Sequence, residues 1–179
     1  MPASSPPARQ SHALTYDAAR GLVVLFGGFD GGWRSDTWTW DGITWTQHFP
    51  ATSPPARAGH GMAYDAARQR VVLFGGYSGG YFADTWTWDG ATWTQQALPI
   101  APPARERPAM AYDAARAEVV LFGGMYGPTL RSDTWTWDGT SWTQHSLVTK
   151  PAGRHGHGMA YDLGRQRLVL FGGCNNSSP

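Results

Sequence analysis

His155 and His157, two residues apart in RHGHGM, have the spacing that puts two imidazoles on one face of a strand, the start of a metal pair. The chain itself supplies the comparison that weakens this reading. His12 and His60 occupy the place of His157 in earlier copies of the segment without a companion histidine, and Pro108 holds it in another. A structural role near the start of a strand is expected, with no metal. Asp30-Gly31-Gly32 offers a single carboxylate where a calcium loop needs several oxygens. Cys174 is the only cysteine, so no internal disulfide can form. There is no Gly-x-Ser-x-Gly elbow, no phosphate loop and no carboxylate pair outside turn positions. The chain is therefore expected not to be an enzyme, with no catalytic residue and no cofactor. The Asn-x-Ser matches at Asn175 and Asn176 read as chance.

Aromatic and cationic side chains are the richer set. Of ten tryptophans, nine recur at repeat-equivalent places, where packing is the simpler account, and only Trp33 stands in a variable segment. Arg9, Arg57, Arg105 and Arg154 also recur, one per copy. A ring of them would suit an anion. Pairing with Asp36, Asp84 and Asp133 between neighbouring units is the preferred reading, because a residue identical in every unit does a job common to every unit.

What positions these residues is an internal repeat. LFGG ends at Gly28, Gly76, Gly124 and Gly173, in steps of 48, 48 and 49 residues. DTWTWDG occurs at Asp36, Asp84 and Asp133. Each unit reads as PPAR, an alternating segment, YDAAR, an apolar run such as RVVLF, a variable loop, DTWTWDG and TWTQ. Alternation and β-branched runs predict four strands a, b, c and d. Asp65 starts a tight a–b turn and Asp-Gly closes the c–d hairpin, so the strands are antiparallel neighbours. A sheet of this kind covers its two faces by stacking copies around an axis.

The bulk numbers agree with an all-β chain. Charged residues are 15% of 179, aromatics 13%, and glycines number 23. A net charge of +1 leaves no footprint for nucleic acid or an anionic membrane, and no stretch approaches membrane-spanning length. MPASSPPARQSHALT has neither a charged region followed by an apolar run nor twin arginines, so secretion is unsupported. The compartment stays open between the cytoplasm and a processed exported domain.

With its double glycine closing strand b, the aromatic pairs Trp38/Trp40, Trp86/Trp88 and Trp135/Trp137 in strand c, and Trp45, Trp93 and Trp142 in strand d, the chain resembles the Kelch-repeat β-propellers, in a bacterial-type, tryptophan-rich form. The resemblance implies a propeller of four-stranded antiparallel blades and leaves function open among catalysts, lectins and scaffolds. Copper oxidases of the galactose-oxidase type resemble it in architecture. They rely on a cysteine cross-linked to tyrosine, and Cys174 reads as a tail residue outside any strand pair.

Repeats are expected over about 6–53, 54–101 and 102–149, with a half repeat at 150–173 and a tail at 174–179, in one propeller segment. That is three blades and an inner half blade. Three outcomes stay open: a piece of a longer propeller, a homodimeric ring, or a compact four-bladed ring. An uncovered blade face is an aggregation liability, which favours the dimer.

The copies disagree in two places, the b–c loops and the residues after each opening arginine, and an up-and-down sheet brings both to one rim. That rim carries Phe29, Trp33, Arg34, Tyr77, Tyr81, Phe82, Arg107, Tyr126, Arg131 and His155. Aromatics with a few arginines suit a glycan ring or a peptide. The function expected is a non-catalytic binding or scaffold module presenting this rim. The alternatives are a purely structural propeller fragment and a non-catalytic remnant of a galactose-oxidase-like enzyme.

Overall fold

The computed structural model describes residues 5–175. Three four-stranded antiparallel sheets follow one another along the chain. The first holds β1 (Ala13–Asp17), β2 (Leu22–Phe29), β3 (Trp33–Trp40) and β4 (Trp45–His48). The second holds β5 (Gly61–Asp65), β6 (Arg70–Phe74), β7 (Thr85–Trp88) and β8 (Trp93–Gln96). In the third, β9 (Ala109–Asp113), β10 (Glu118–Phe122), β13 (Thr134–Trp137) and β14 (Trp142–His145) pair in that order, and β11 (Met125–Tyr126) and β12 (Thr129–Leu130) form a small hairpin in the b–c loop. β15 (Gly158–Asp162) and β16 (Arg167–Phe171) make a final two-stranded sheet.

Local chemistry explains the turns. Each a–b turn starts at an aspartate: Asp17 Oδ1 accepts the Arg20 N–H, and its Oδ2 accepts the Arg20 guanidinium at 2.8 Å. The first c–d hairpin closes over residues 41–44, where Asp41 N–H donates to the Thr44 carbonyl. Asp41 Oδ1 accepts the N–H groups of Ile43 and Thr44, and its Oδ2 accepts the Thr44 hydroxyl. These bonds replace the ladder where the chain reverses.

The double glycines have a steric cause. Gly75 and Gly76 both have positive φ, and a Cβ on Gly75 would stand 2.6 Å from the carbonyl oxygen of Arg105, in the next unit. Gly76 N–H donates to that same carbonyl at 2.9 Å, a bond repeated by Gly28 to Arg57 and by Gly124 to Arg154. Only a residue without Cβ admits such an approach.

The core lies between sheets. Val24 and Phe26 of β2 pack on Met62, Tyr64, Val71, Leu73, Trp86 and Trp88 of the second sheet. Val72 and Phe74 pack likewise on Val119, Leu121, Trp135 and Trp137 of the third. The nine repeated tryptophans are thus packing residues, but not equal ones. Trp88 and Trp137 are fully buried, while Trp40 is half-buried and packs on Trp45.

Between sheets the same polar ties recur. The Tyr64 hydroxyl accepts the Ala19 N–H, as Tyr112 accepts Ala67 and Tyr161 accepts Ala115. Near the start of strand a, the backbone links Gly59 N–H to Ser11, Arg107 N–H to Gly59 and Gly156 N–H to Arg107. All four of these residues adopt positive φ. Ser11 and Arg107 hold a conformation that costs an L-residue about 1 kcal/mol, and the chain of bonds compensates.

Candidate functional site

Three of the four opening arginines are paired with carboxylates, but within a unit rather than between units. Arg9 meets Asp36, Arg57 meets Asp84 and Arg105 meets Asp133, each through two parallel hydrogen bonds of 2.6–2.9 Å. The reason is register: β6 and β7 are adjacent, so the arginine before β5 and the aspartate before β7 reach the same end of one sheet. Arg57 also donates to the carbonyls of Pro55 and Gly75, and its guanidinium lies 3.9 Å over the Phe82 ring. Trp86 Nε1 donates to Asp84 at 2.7 Å. Burial pushes the Asp84 carboxyl up. Hydrogen bonds from Arg57, its charge and Trp86 outweigh that and hold it below the usual carboxylate range. The backbone makes the link between sheets: Arg57 N–H donates to the Arg34 carbonyl in the first. Both groups are therefore committed to the scaffold, and an anion-binding ring is not what these arginines form.

On the same rim the variable loops bring aromatics into contact across three sheets. Phe29 and Trp33 face each other across the end of the β2–β3 hairpin at 5.8 Å between ring centroids. Trp33 meets Tyr77 of the second loop at 6.1 Å, and Tyr77 meets Tyr81 at 4.9 Å. Tyr81 meets Tyr126 of the third loop at 4.6 Å. Such tilted and edge-to-face pairs each contribute about 0.5–1.5 kcal/mol beyond burial. Phe29, Tyr77 and Tyr81 are half-buried by the stacking, whereas Trp33 and Tyr126 keep 43% and 48% of their surface in solvent.

The loops are held from below by a backbone bridge in each unit: Gln10 with Phe29, Ala58 with Tyr77, Glu106 with Met125 and His155 with Cys174. Cys174 is thus not a tail residue outside the pairing. Its N–H and carbonyl both bond to His155, at the place Phe29, Tyr77 and Met125 hold elsewhere, because the bridge uses only backbone and tolerates any side chain. Its thiol is exposed and free. Asn175 is the last described residue, and Asn176 lies outside the described residues.

The ten rim residues divide accordingly. Five of them, Phe29, Trp33, Tyr77, Tyr81 and Tyr126, form the ladder. Arg34 is tied to Asp30 by a fork of 2.7–2.9 Å bonds. Arg107 is exposed, with Glu106 at 3.8 Å. Phe82 is turned beneath Arg57, apart from the ladder. Arg131 and His155 are half-buried, with Arg131 bonded through its backbone to Gly124 and Arg154. The contact between loops is not foreseeable from the sequence. Its only trace there is that Phe29 and Trp33 follow their double glycine at the same offsets as Tyr77 and Tyr81 follow theirs, while Tyr126 is displaced by one position.

Among the described residues no three His, Cys, Asp or Glu side chains converge as a metal site would need, and no helix is long and apolar enough to cross a membrane. His60 sits between the first two sheets with its ring edge-on to Phe26 at 5.5 Å. Burial, then the Arg57 charge, push its imidazole down to about 3, so it is neutral at physiological pH.

The family model for the KLHDC2/KLHL20/DRC7 Kelch-repeats domain matches residues 33–178. No curated protein matches the chain. The match runs through the second and third sheets and the final hairpin, and the sheets it spans are all antiparallel. The double glycines, the tryptophan-bearing third and fourth strands and this match together show that the chain belongs to the Kelch-repeat family.

Proposed function

We propose that this protein is a non-catalytic binding module that holds a peptide ligand across its variable rim. Kelch-repeat propellers suggest a binding or scaffold role rather than catalysis. The observation that carries the finer reading is the aromatic ladder from Phe29 through Trp33, Tyr77 and Tyr81 to Tyr126. Loops from three sheets converge to build it, and Trp33 and Tyr126 within it stay open to solvent. Rigid rings of this kind give contact area at little entropic cost, and an exposed rim cation such as Arg107 suits a peptide carboxylate or carbonyl. A glycan would use the same ring faces, so both libraries belong in the test. Peptide and glycan arrays probed with the intact protein should give peptide hits that Trp33→Ala and Tyr126→Ala weaken. Each variant also gives up its ring pairs, about 0.5–1.5 kcal/mol apiece, so binding is compared under conditions where both variants remain folded. Binding that survives both variants would move the site elsewhere.

A second component is self-assembly, favoured by a different observation. The outward face of the first sheet exposes Leu14 and Tyr16, and the outward face of the final hairpin exposes Val169 and Phe171. Apolar burial stabilises by about 25 cal/mol per Å², so covering both faces in a two-fold ring offsets the cost of association. Light scattering should then give twice the chain mass of 19.5 kDa. A stable species at one chain mass would defeat the ring.

A further inference from the structure

We infer that a cleft between the second and third sheets, at the turn end of the molecule away from the variable loops, binds a small carboxylate with a compact apolar body. The cleft encloses about 240 Å³ and opens beside the a–b turn of the second sheet and the c–d turn of the third. Both sheets have all four strands, so its walls are complete. The aromatic ladder takes no part in this site.

Strand period and turn chemistry build the walls. Arg70 and Val72 are alternate residues of β6 and share the face turned to the third sheet, where Val72 and Trp137 belong to one core cluster and both line the cleft. Val72 lies opposite Thr87 in the register, and Thr87 Oγ1 accepts a Gln96 side-chain N–H at 3.0 Å. Arg68 closes one side. Its Nη1 donates to the Ala117 carbonyl in the third sheet at 2.6 Å and to Asp65 Oδ2 at 3.2 Å. Its stem lies against Gly139, where a Cβ would collide with it.

The groups left over in the cleft are donors. The Arg70 guanidinium makes no hydrogen bond and no ion pair among the described residues. Its charge reaches Asp89, but that carboxylate already accepts the N–H groups of Ala91 and Thr92 and the Thr92 hydroxyl. Asp65 is likewise taken, by the Arg68 N–H and guanidinium. Trp137 Nε1 has no acceptor among the described residues. A carboxylate at the mouth thus meets an uncommitted guanidinium fork, the geometry that binds it through two parallel bonds. Val72 and the Trp137 indole give its apolar body a floor.

The same place is built differently in the other units. Leu22 stands where Arg70 does in the first unit and Glu118 in the third, while His48 and His145 hold the position of Gln96. In the first junction the His48 ring is edge-on, at 5.6 Å, to Trp88, the counterpart of Trp137, and Trp88 Nε1 is buried without a partner. Arg70 and Gln96 together give the second junction a cation and a slimmer side chain beside the indole. Sites for drug-sized ligands enclose about 300–1,000 Å³, so a smaller, metabolite-sized occupant suits this one. Phosphate lacks the apolar body that the floor would cover.

Benzoate serves as the probe, titrated into the intact, isotope-labelled protein and followed through the indole N–H signals by NMR. Saturable movement of an indole signal is expected. Benzamide, the uncharged isostere, should bind about tenfold more weakly, the scale of one charge-assisted hydrogen bond. Arg70→Leu, which installs the residue of the first unit, should weaken benzoate by a similar factor, and Gln96→His should weaken it by narrowing the cleft. Absence of saturable movement would overturn the proposal. So would equal affinity for benzoate and benzamide, a comparison that leaves the protein unaltered and does not depend on folding of a variant. Benzoate binding that survives Arg70→Leu would place the anion at another cation and overturn the site. Inorganic phosphate bound as tightly as benzoate would overturn the ligand class.

Discussion

RVVLF in β6 and RLVLF in β16 differ by one residue, yet they live in different surroundings. Val71, Val72, Leu73 and Phe74 are all fully buried. In β16 the side chains alternate: Leu168 and Leu170 are half-buried toward the third sheet, while Val169 and Phe171 are 52% and 84% exposed. Both segments make a strand, both pair antiparallel with the strand before them, and both end in a double glycine. A continuous apolar run therefore specifies a strand fit for two covered faces. Whether both are covered depends on the neighbour.

The most direct way to break that comparison is to truncate the aromatic that closes each strand. Phe74→Ala should cost about 3–5 kcal/mol in urea unfolding, because it leaves a cavity between the second and third sheets. Phe171→Ala should stay within about 0.5 kcal/mol. A large loss at Phe171 would mean that the outward face of β16 is covered in solution, which would favour the ring.

The arginines sharpen the same contrast. Arg57→Ala strands a mostly buried Asp84 and should cost about 3 kcal/mol or more. Arg154→Ala removes only bonds to two carbonyls and should cost about 1 kcal/mol. Matching losses would show that Arg154 already has a carboxylate partner. Chemical denaturation of the two variants side by side decides it.

The histidines give an effect that appears only on acidification, a pH signature. His60 is held down to about 3 when folded, below its ordinary value of 6.5, so the unfolded chain takes up the proton first. Stability is complete above about pH 6.5 and falls as the pH drops toward 3, by on the order of 2–3 kcal/mol at about pH 4.5. His60→Gln should remove most of this slope. His12→Gln should change it less, since His12 is only half-buried and its lowering comes from burial and then Arg9. A slope left intact in the His60 variant would assign the pH dependence to other groups.

Much of the fold is legible in the sequence because the determinants are local and repeated. Alternating Thr and Trp, the Asp turns and the double glycines each act within a few residues, and three or four copies confirm one another. The Arg–Asp pair is legible as chemistry but not as a tie within one unit, since its geometry depends on which strands are adjacent. Cys174 escapes a sequence reading for a similar reason, as backbone bridges carry no side-chain signature. The variable rim can be located by comparing copies. That five aromatics join into one ladder cannot, because the contact crosses three loops of different conformation.

By itself the sequence determined the strands, their order within a sheet and the residues able to pack. Those follow from side-chain period and turn chemistry over short stretches of chain. The tertiary structure alone decided which of two nearly identical strands is buried, which tryptophans carry the core, and which arginine has no carboxylate partner among the described residues. Burial and pairing are properties of neighbours, and neighbours separated by about 48 residues are brought together only when the sheets stack.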